Sequence, residues 1–304
     1  GKMSELVGLL SGRNFETRTY EDIIQEETFQ RLSSSVSDFV NQTHFKRFLM
    51  IIKSTGFIDS SMIGSKNALN FSYILYLKLR SKKVEESVIE KSVRRWFVMS
   101  VLTGRYSGSP ESVFDNDIKT IAKNGVEATL QGLEDAELSD AFWEIGLPKE
   151  LDKSSINSPY LKVFFASQVK AKDEGFLSTD ISVASMIEHR GDIHHLFPKD
   201  YLTKKGAVRS EYNQIANFVF AQSEINIKVG NKAPEVYMAE VQGQCDGGKL
   251  IYGNIDSVDR LKQNLRAHAI PENFMNMEYE NYQNFLETRR KLMAAKIRDY
   301  YFNL

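Results

Sequence analysis

Cysteine is nearly absent. Cys245 is the single one in 304 residues, which excludes a disulfide framework and a cysteine-based zinc knuckle. An excess of either charge is lacking too. The 39 Lys and Arg stand against 40 Asp and Glu, a formal net charge of −1, so no global field draws the chain to nucleic acid and any such contact needs a local patch. No apolar run is long enough to cross a bilayer. The opening Gly1-Lys2-Met3 does not have the form of a secretory signal. These absences point to an intracellular, cytoplasmic chain. Gly1 ahead of Met3 reads as an expression scar, so the natural protein is expected to be longer. There is no internal repeat and no low-complexity tract.

What is present is an ordinary globular balance, with a length that favours two domains. The first part, 1–175, reads as a helical domain. Apolar residues recur at helical spacing over Thr17–Leu32, Val36–Ile52, Asn67–Leu79 and Val84–Leu102. Pro110 suits the N-terminus of a helix over Glu111–Asn124, and Gly125 its C-cap. Further helices are predicted at Ala136–Ile145, stopped by Gly146-Leu147-Pro148, and at Val163–Lys170. Trp96 and Trp143 read as core. Lys172-Asp173-Glu174-Gly175 is the linker candidate, and 176–304 the second domain. In it the glycine-rich Gln242–Asn254 reads as a mobile loop. Glu278–Phe302 reads as a long helix able to pack across both domains, with Arg289-Arg290-Lys291, Lys296 and Arg298 as a solvated face.

Of five histidines, two are adjacent, in Gly191-Asp192-Ile193-His194-His195-Leu196-Phe197-Pro198-Lys199. The apolar run Ile193–Phe197, stopped by Pro198, reads as a strand. Neighbouring strand residues face opposite ways, so the two imidazoles meet in one pocket only if the strand twists or bulges. A second strand is predicted at Asn217–Phe220, and a helix from Ser223 through Glu224, whose residue types suit a helix start. His44, His189 and His268 fall outside this region and read as surface or packing residues.

His-His followed by two apolar residues and Pro198, then Asn213-Gln214-Ile215-Ala216-Asn217-Phe218, then Asn226, Asn231, Lys232, Pro234 and Tyr237, resembles the HNH nuclease motif. More closely, Glu188–Met238 is similar to the C-terminal nuclease domain of the GmrSD-type modification-dependent restriction endonucleases. Three spaced blocks in the right order make the likeness specific. Looser likeness to the helical part of that family lies in Asn67–Leu79 and in Arg94-Arg95-Trp96 with Gly104-Arg105-Tyr106.

The resemblance implies a mainly α fold, with a helical domain followed by a small ββα-metal HNH unit embedded among helices. It implies a metal-dependent DNA endonuclease, the effector of an antiphage restriction system, acting on phage DNA with Mg²⁺ or Mn²⁺. By position His195 would be the general base, with Asn217 orienting it through its amide or backbone carbonyl. His194 and Asn226 would be the metal ligands, and Asp192 a partner for the His194 ring. Lys199, Lys228 and Lys232 would touch the DNA backbone. From Arg190 to Lys232 there are seven positive and four negative residues, a local excess of +3, a scale that suits backbone contact rather than base reading. The family's upstream ParB-like regulatory domain is not visible in this chain. One ββα site cuts one strand, so double-strand cutting would call for a homodimer. Two other readings stay open: a non-catalytic DNA-binding or regulatory module with a decayed site, and an RNA-cutting HNH toxin.

Overall fold

A computed structural model describes residues 3–14 and 19–304. The chain is mainly helical, and its described residues contain a single two-stranded antiparallel sheet. None of the described helices is long and apolar enough to cross a membrane.

The helices of the first part follow the apolar periodicity, with shifts at their ends that local chemistry explains. The start of the expected Thr17–Leu32 helix lies outside the described residues; the helix runs Gln25–Phe39 and buries none of its side chains. The expected Val36–Ile52 helix is broken. Asn41 leaves helical geometry, and its side-chain oxygen caps Thr43 and His44 at 2.9 and 3.1 Å to begin Gln42–Lys53. Ser65 caps Lys66–Ser81 in the same way. Pro148 does not stop a helix but sits in the first turn of Leu147–Glu150, after a wide turn at Phe142–Gly146. A proline is tolerated there because its missing N–H has no intrahelical acceptor to meet.

Lys66–Ser81 and Glu86–Leu102 pack as a pair, Phe71 stacking on Trp96 at 5.3 Å between ring centres. The Arg-Tyr block after Gly104 is structural. Trp96 donates to the Tyr106 hydroxyl at 2.9 Å, Tyr106 to Asp117 at 2.8 Å, and Arg105 grips Asp117 and Glu137. Because buried Asp117 is bonded by both, its charge is not left unpaired.

The tetrapeptide Lys172–Gly175 is pinned rather than loose. Asp173 pairs with Lys296 at 2.5 Å, its backbone bonds Gln168 and Val183, and Gly175 bonds Ile181 and Asn264. The apolar core runs without a break from Phe48 to Leu304. The Tyr282–Phe302 helix threads it: Tyr300 donates to the Thr55 carbonyl at 2.6 Å and Tyr301 to Glu134 at 2.5 Å. The supposed mobile loop is likewise ordered. Pro234–Cys245 is helical, and buried Gln244 bonds the backbone of Ile251, Tyr252 and Ile255. Gly253, at φ +56°, lies so close to the Leu177 carbonyl that a Cβ would collide with it. Cys245 is half-buried against the Ile255 carbonyl.

Candidate active site

The site begins with very short strands. β1 is Ile193–His195 and β2 is Phe218–Phe220, paired with His194 opposite Val219 and His195 opposite Phe218. The ladder extends by one bond, from the Leu196 N–H to the Asn217 carbonyl at 2.9 Å. A pair of three-residue strands is not stable alone, and side chains from elsewhere hold it. Tyr237 donates to the Leu196 carbonyl at 2.9 Å. Arg289, fully buried, donates to Ala216 and Phe218 carbonyls at 2.8 and 2.9 Å and to the His268 carbonyl at 3.0 Å. Burial pushes the Arg289 pKa down to about 9. That still lies above neutral pH, so the cation enters the core charged and is met by carbonyl dipoles. The expected solvated face is thus corrected at this residue. Its neighbour Arg290 is tied to Asp152 at 2.6 Å and to Gln214 at 3.0 Å.

His195 is half-buried. Its Nε2 lies 2.9 Å from the side-chain oxygen of Asn213. Tyr212 and Phe218 present edges to the ring at 6.1 and 5.2 Å. Burial lowers its pKa, the Asn213 bond partly offsets this, and Lys199 lowers it further. The ring is therefore neutral near pH 7, as a proton acceptor must be.

The expected orienter, Asn217, does not touch the ring. Its buried amide accepts from the Phe197 N–H at 2.8 Å and donates to the Phe197 and Tyr212 carbonyls, each at 3.1 Å. Its own carbonyl is taken by Leu196. Asn217 joins the turn after β1 to the loop that carries Asn213. Its contribution to the site is made through the backbone, and the direct side-chain contact belongs to Asn213.

His194 is half-buried on the other face of β1, as strand alternation requires. Its Nε2 is buried and has no hydrogen-bond partner among the described residues. Burial lowers its pKa most; exposed Asp192 and a backbone bond at Ala221 raise it, and His195 lowers it. Asp192 thus acts on this ring through charge, with no side-chain hydrogen bond to it. Asn226 sits half-buried in the Ser223–Val229 helix that follows β2, with no side-chain bond to the described residues.

The lysines differ. Lys199 and Lys228 are exposed, and Lys199 lies over the Tyr212 ring at 5.8 Å. Lys232 is engaged, its ammonium 2.7 Å from Glu240 and 2.6 Å from the Tyr252 hydroxyl. It braces the fold rather than standing free for DNA.

No group of three or more His, Cys, Asp or Glu side chains suited to a metal occurs among the described residues. An unbonded buried imidazole nitrogen nevertheless fits a ligand position. An imidazole with the Asn226 amide, the donors expected from sequence, would make a weak site for a hard divalent ion until substrate oxygens complete it. Asn213, read in sequence only as part of the second matched block, and Arg289, read as part of a solvated face, are the residues that hold the site. Asn213 stands in the second matched block and was open to discovery; nothing near Arg289 in sequence marks it.

No protein-family model matches the chain, and no solved structure does. It is similar to the uncharacterized protein MJ0686 of Methanocaldococcus jannaschii, 27% identical over 223 residues that cover 67% of this chain and 36% of the relative. The chain therefore spans about a third of the length of the curated relative it matches.

Proposed function

We propose that the chain is the cutting part of a metal-dependent HNH-type DNA endonuclease, a cytoplasmic effector of an antiphage restriction system. One observation carries the reading. Two adjacent imidazoles end the first of two short paired strands, one with a buried, unbonded nitrogen and the other neutral and held by an amide, and the Asn226 helix follows the second strand directly. Two paired strands, with the Lys199–Lys204 and Arg209–Tyr212 helices in the connection between them and a helix after the second, are compatible with a ββα unit set among helices.

Hydrolysis of a phosphodiester needs a deprotonated water in line with phosphorus, and stabilisation of charge on the phosphoryl and leaving oxygens. His195, kept neutral by burial, takes the proton from that water, which requires the end of β1 to turn both imidazoles toward one phosphate. The His194 Nε2 and the Asn226 amide oxygen would hold Mg²⁺ or Mn²⁺, with Asp192 favouring a polarised His194 ring. When bound, the ion supplies positive charge beside the scissile phosphate. Exposed Lys199 and Lys228 suit flanking phosphates, whereas Lys232 would first have to leave Glu240. Phage DNA is the proposed substrate. An upstream ParB-like domain would regulate cutting, and a homodimer would cut both strands.

The test is nicking of supercoiled plasmid and of modified phage DNA with Mg²⁺ or Mn²⁺. His195→Ala is expected to lose about two to four orders of magnitude in rate, and His194→Ala to lose both activity and Mn²⁺ binding. Equal nicking by wild type and His195→Ala, or none by the wild type on any substrate, would favour a non-catalytic DNA-binding module. A parallel incubation with tRNA separates DNA from RNA cutting.

A further inference from the structure

We propose that Asn213 is the positioning residue of the site, locking the His195 ring with its proton on Nε2 so that Nδ1 is the nitrogen that accepts a proton. This rests on the reading of His195 as the base. The bond runs from Nε2 to the Asn213 side-chain oxygen at 2.9 Å. An amide oxygen can only accept, so Nε2 must donate and carry hydrogen. The second nitrogen then holds the lone pair. When Nδ1 takes up a proton, the Nε2–H bond to Asn213 survives unchanged. The ring need not turn or find a new partner during the reaction, which is how a pre-organised base avoids reorganisation.

The loop is built to hold this geometry. Asn213 closes the Arg209–Tyr212 helix, its N–H bonded to the Arg209 carbonyl at 3.1 Å. The Tyr212 carbonyl is clamped by Asn217, whose amide also grips Phe197, two residues beyond His195. The Asn213 loop and the histidine strand are thereby held to each other through a third side chain. Tyr212 and Phe218 wall the ring edgewise, so rotation out of the bond would meet an aromatic surface. The two asparagines divide the work: Asn217 joins the backbones, and Asn213 aims the ring.

The experiment reads the bond and the activity separately. Long-range ¹H–¹⁵N spectra of the full chain labelled in histidine are recorded for wild type, Asn213→Leu and Asn213→Asp, with His195→Gln to assign the signal. The His195 Nε2 proton should be visible in wild type, retained in Asn213→Asp, which keeps an accepting oxygen, and lost to solvent exchange in Asn213→Leu. His268, whose buried Nε2 bonds the Glu174 carbonyl at 2.9 Å, gives a second signal that reports an intact fold in each variant. In plasmid nicking, Asn213→Leu should lower kcat about 10²-fold with KM for DNA unchanged, and Asn213→Asp should recover most of it. A His195 proton on Nδ1, or a signal unmoved by Asn213→Leu, overturns the proposal. So does full activity in Asn213→Leu when His195→Ala is dead. If the wild type cuts nothing, or His195→Ala cuts equally well, the nuclease reading fails and the catalytic half of this proposal falls with it, whatever the spectra show.

Discussion

His268 shows what a buried imidazole does when it serves the fold alone. It is fully buried; Nδ1 faces the Gln168 amide nitrogen at 3.0 Å and Nε2 the Glu174 carbonyl. Burial, with Arg289 and Lys296 nearby, pushes its pKa down to about 3 despite the Glu174 bond. The unfolded chain protonates this ring near the ordinary 6.5 and the folded chain does not. The unfolded state therefore binds more protons between those values, and stability is lost as pH falls from about 6.5 toward 3. The slope is roughly 1.4 kcal/mol per pH unit, on the order of 3 kcal/mol by pH 4. Urea unfolding between pH 7.5 and 4.5 should show this slope in wild type and a flatter one in His268→Gln. A matching pair of slopes would count against it. In sequence, His268 and His195 are both imidazoles near apolar residues, His195 with a second histidine beside it. What separates them is the partner each meets in space, contributed by residues 100 and 18 positions away. The same holds for the asparagines. Asn213 and Asn217 stand one short turn apart, and only the Ile215–Asn217 turn decides which faces the ring. At this scale Asn217→Ala should cost about 2–5 kcal/mol, since it orphans buried Phe197 and Tyr212 backbone groups. Asn213→Leu should cost far less, and thermal unfolding of the two variants compares them.

At the scale of the element, the strand pair is weak and its supports are strong. β1 and β2 contribute three residues each, too few to persist unaided. The Tyr282–Phe302 helix supplies Arg289 to the carbonyls on either side of Asn217, and Pro234–Cys245 supplies Tyr237 to Leu196. Arg289→Met should destabilise by at least about 3 kcal/mol, because several buried carbonyls lose their donor at once. Arg289→Lys should not restore it, since one ammonium cannot reproduce the planar fork. Urea midpoints of the three proteins decide the matter, and a lysine variant as stable as wild type would contradict it. The elements themselves were largely legible, because helical periodicity, Pro110, Gly125 and Pro198 act locally. The break at Asn41 and the order of residues 242–254 were not. The first depends on a side-chain cap inside a continuous apolar pattern, and the second on Gln244 meeting a distant loop.

At the scale of the whole molecule, the expected boundary near 175 coincides with chain that is bonded on both sides, and one core spans it. Tyr300 and Tyr301 insert phenol groups into the first part from the last helix. Residues 176–304 expressed alone should expose that surface and fail to fold. Circular dichroism and tyrosine fluorescence of the full chain should report coincident unfolding; a stable, cooperative 176–304 fragment would refute this. The solitary thiol bears on how such experiments are done. Cys245 is shielded by Ile255, and burial, with Asp246 and Asp256, pushes its ionisation up. Maleimide dyes should react with it slowly. A cysteine placed at exposed Lys205, for example, would then take a fluorophore first, leaving the native sulfur as a silent bystander while DNA approach is followed by quenching.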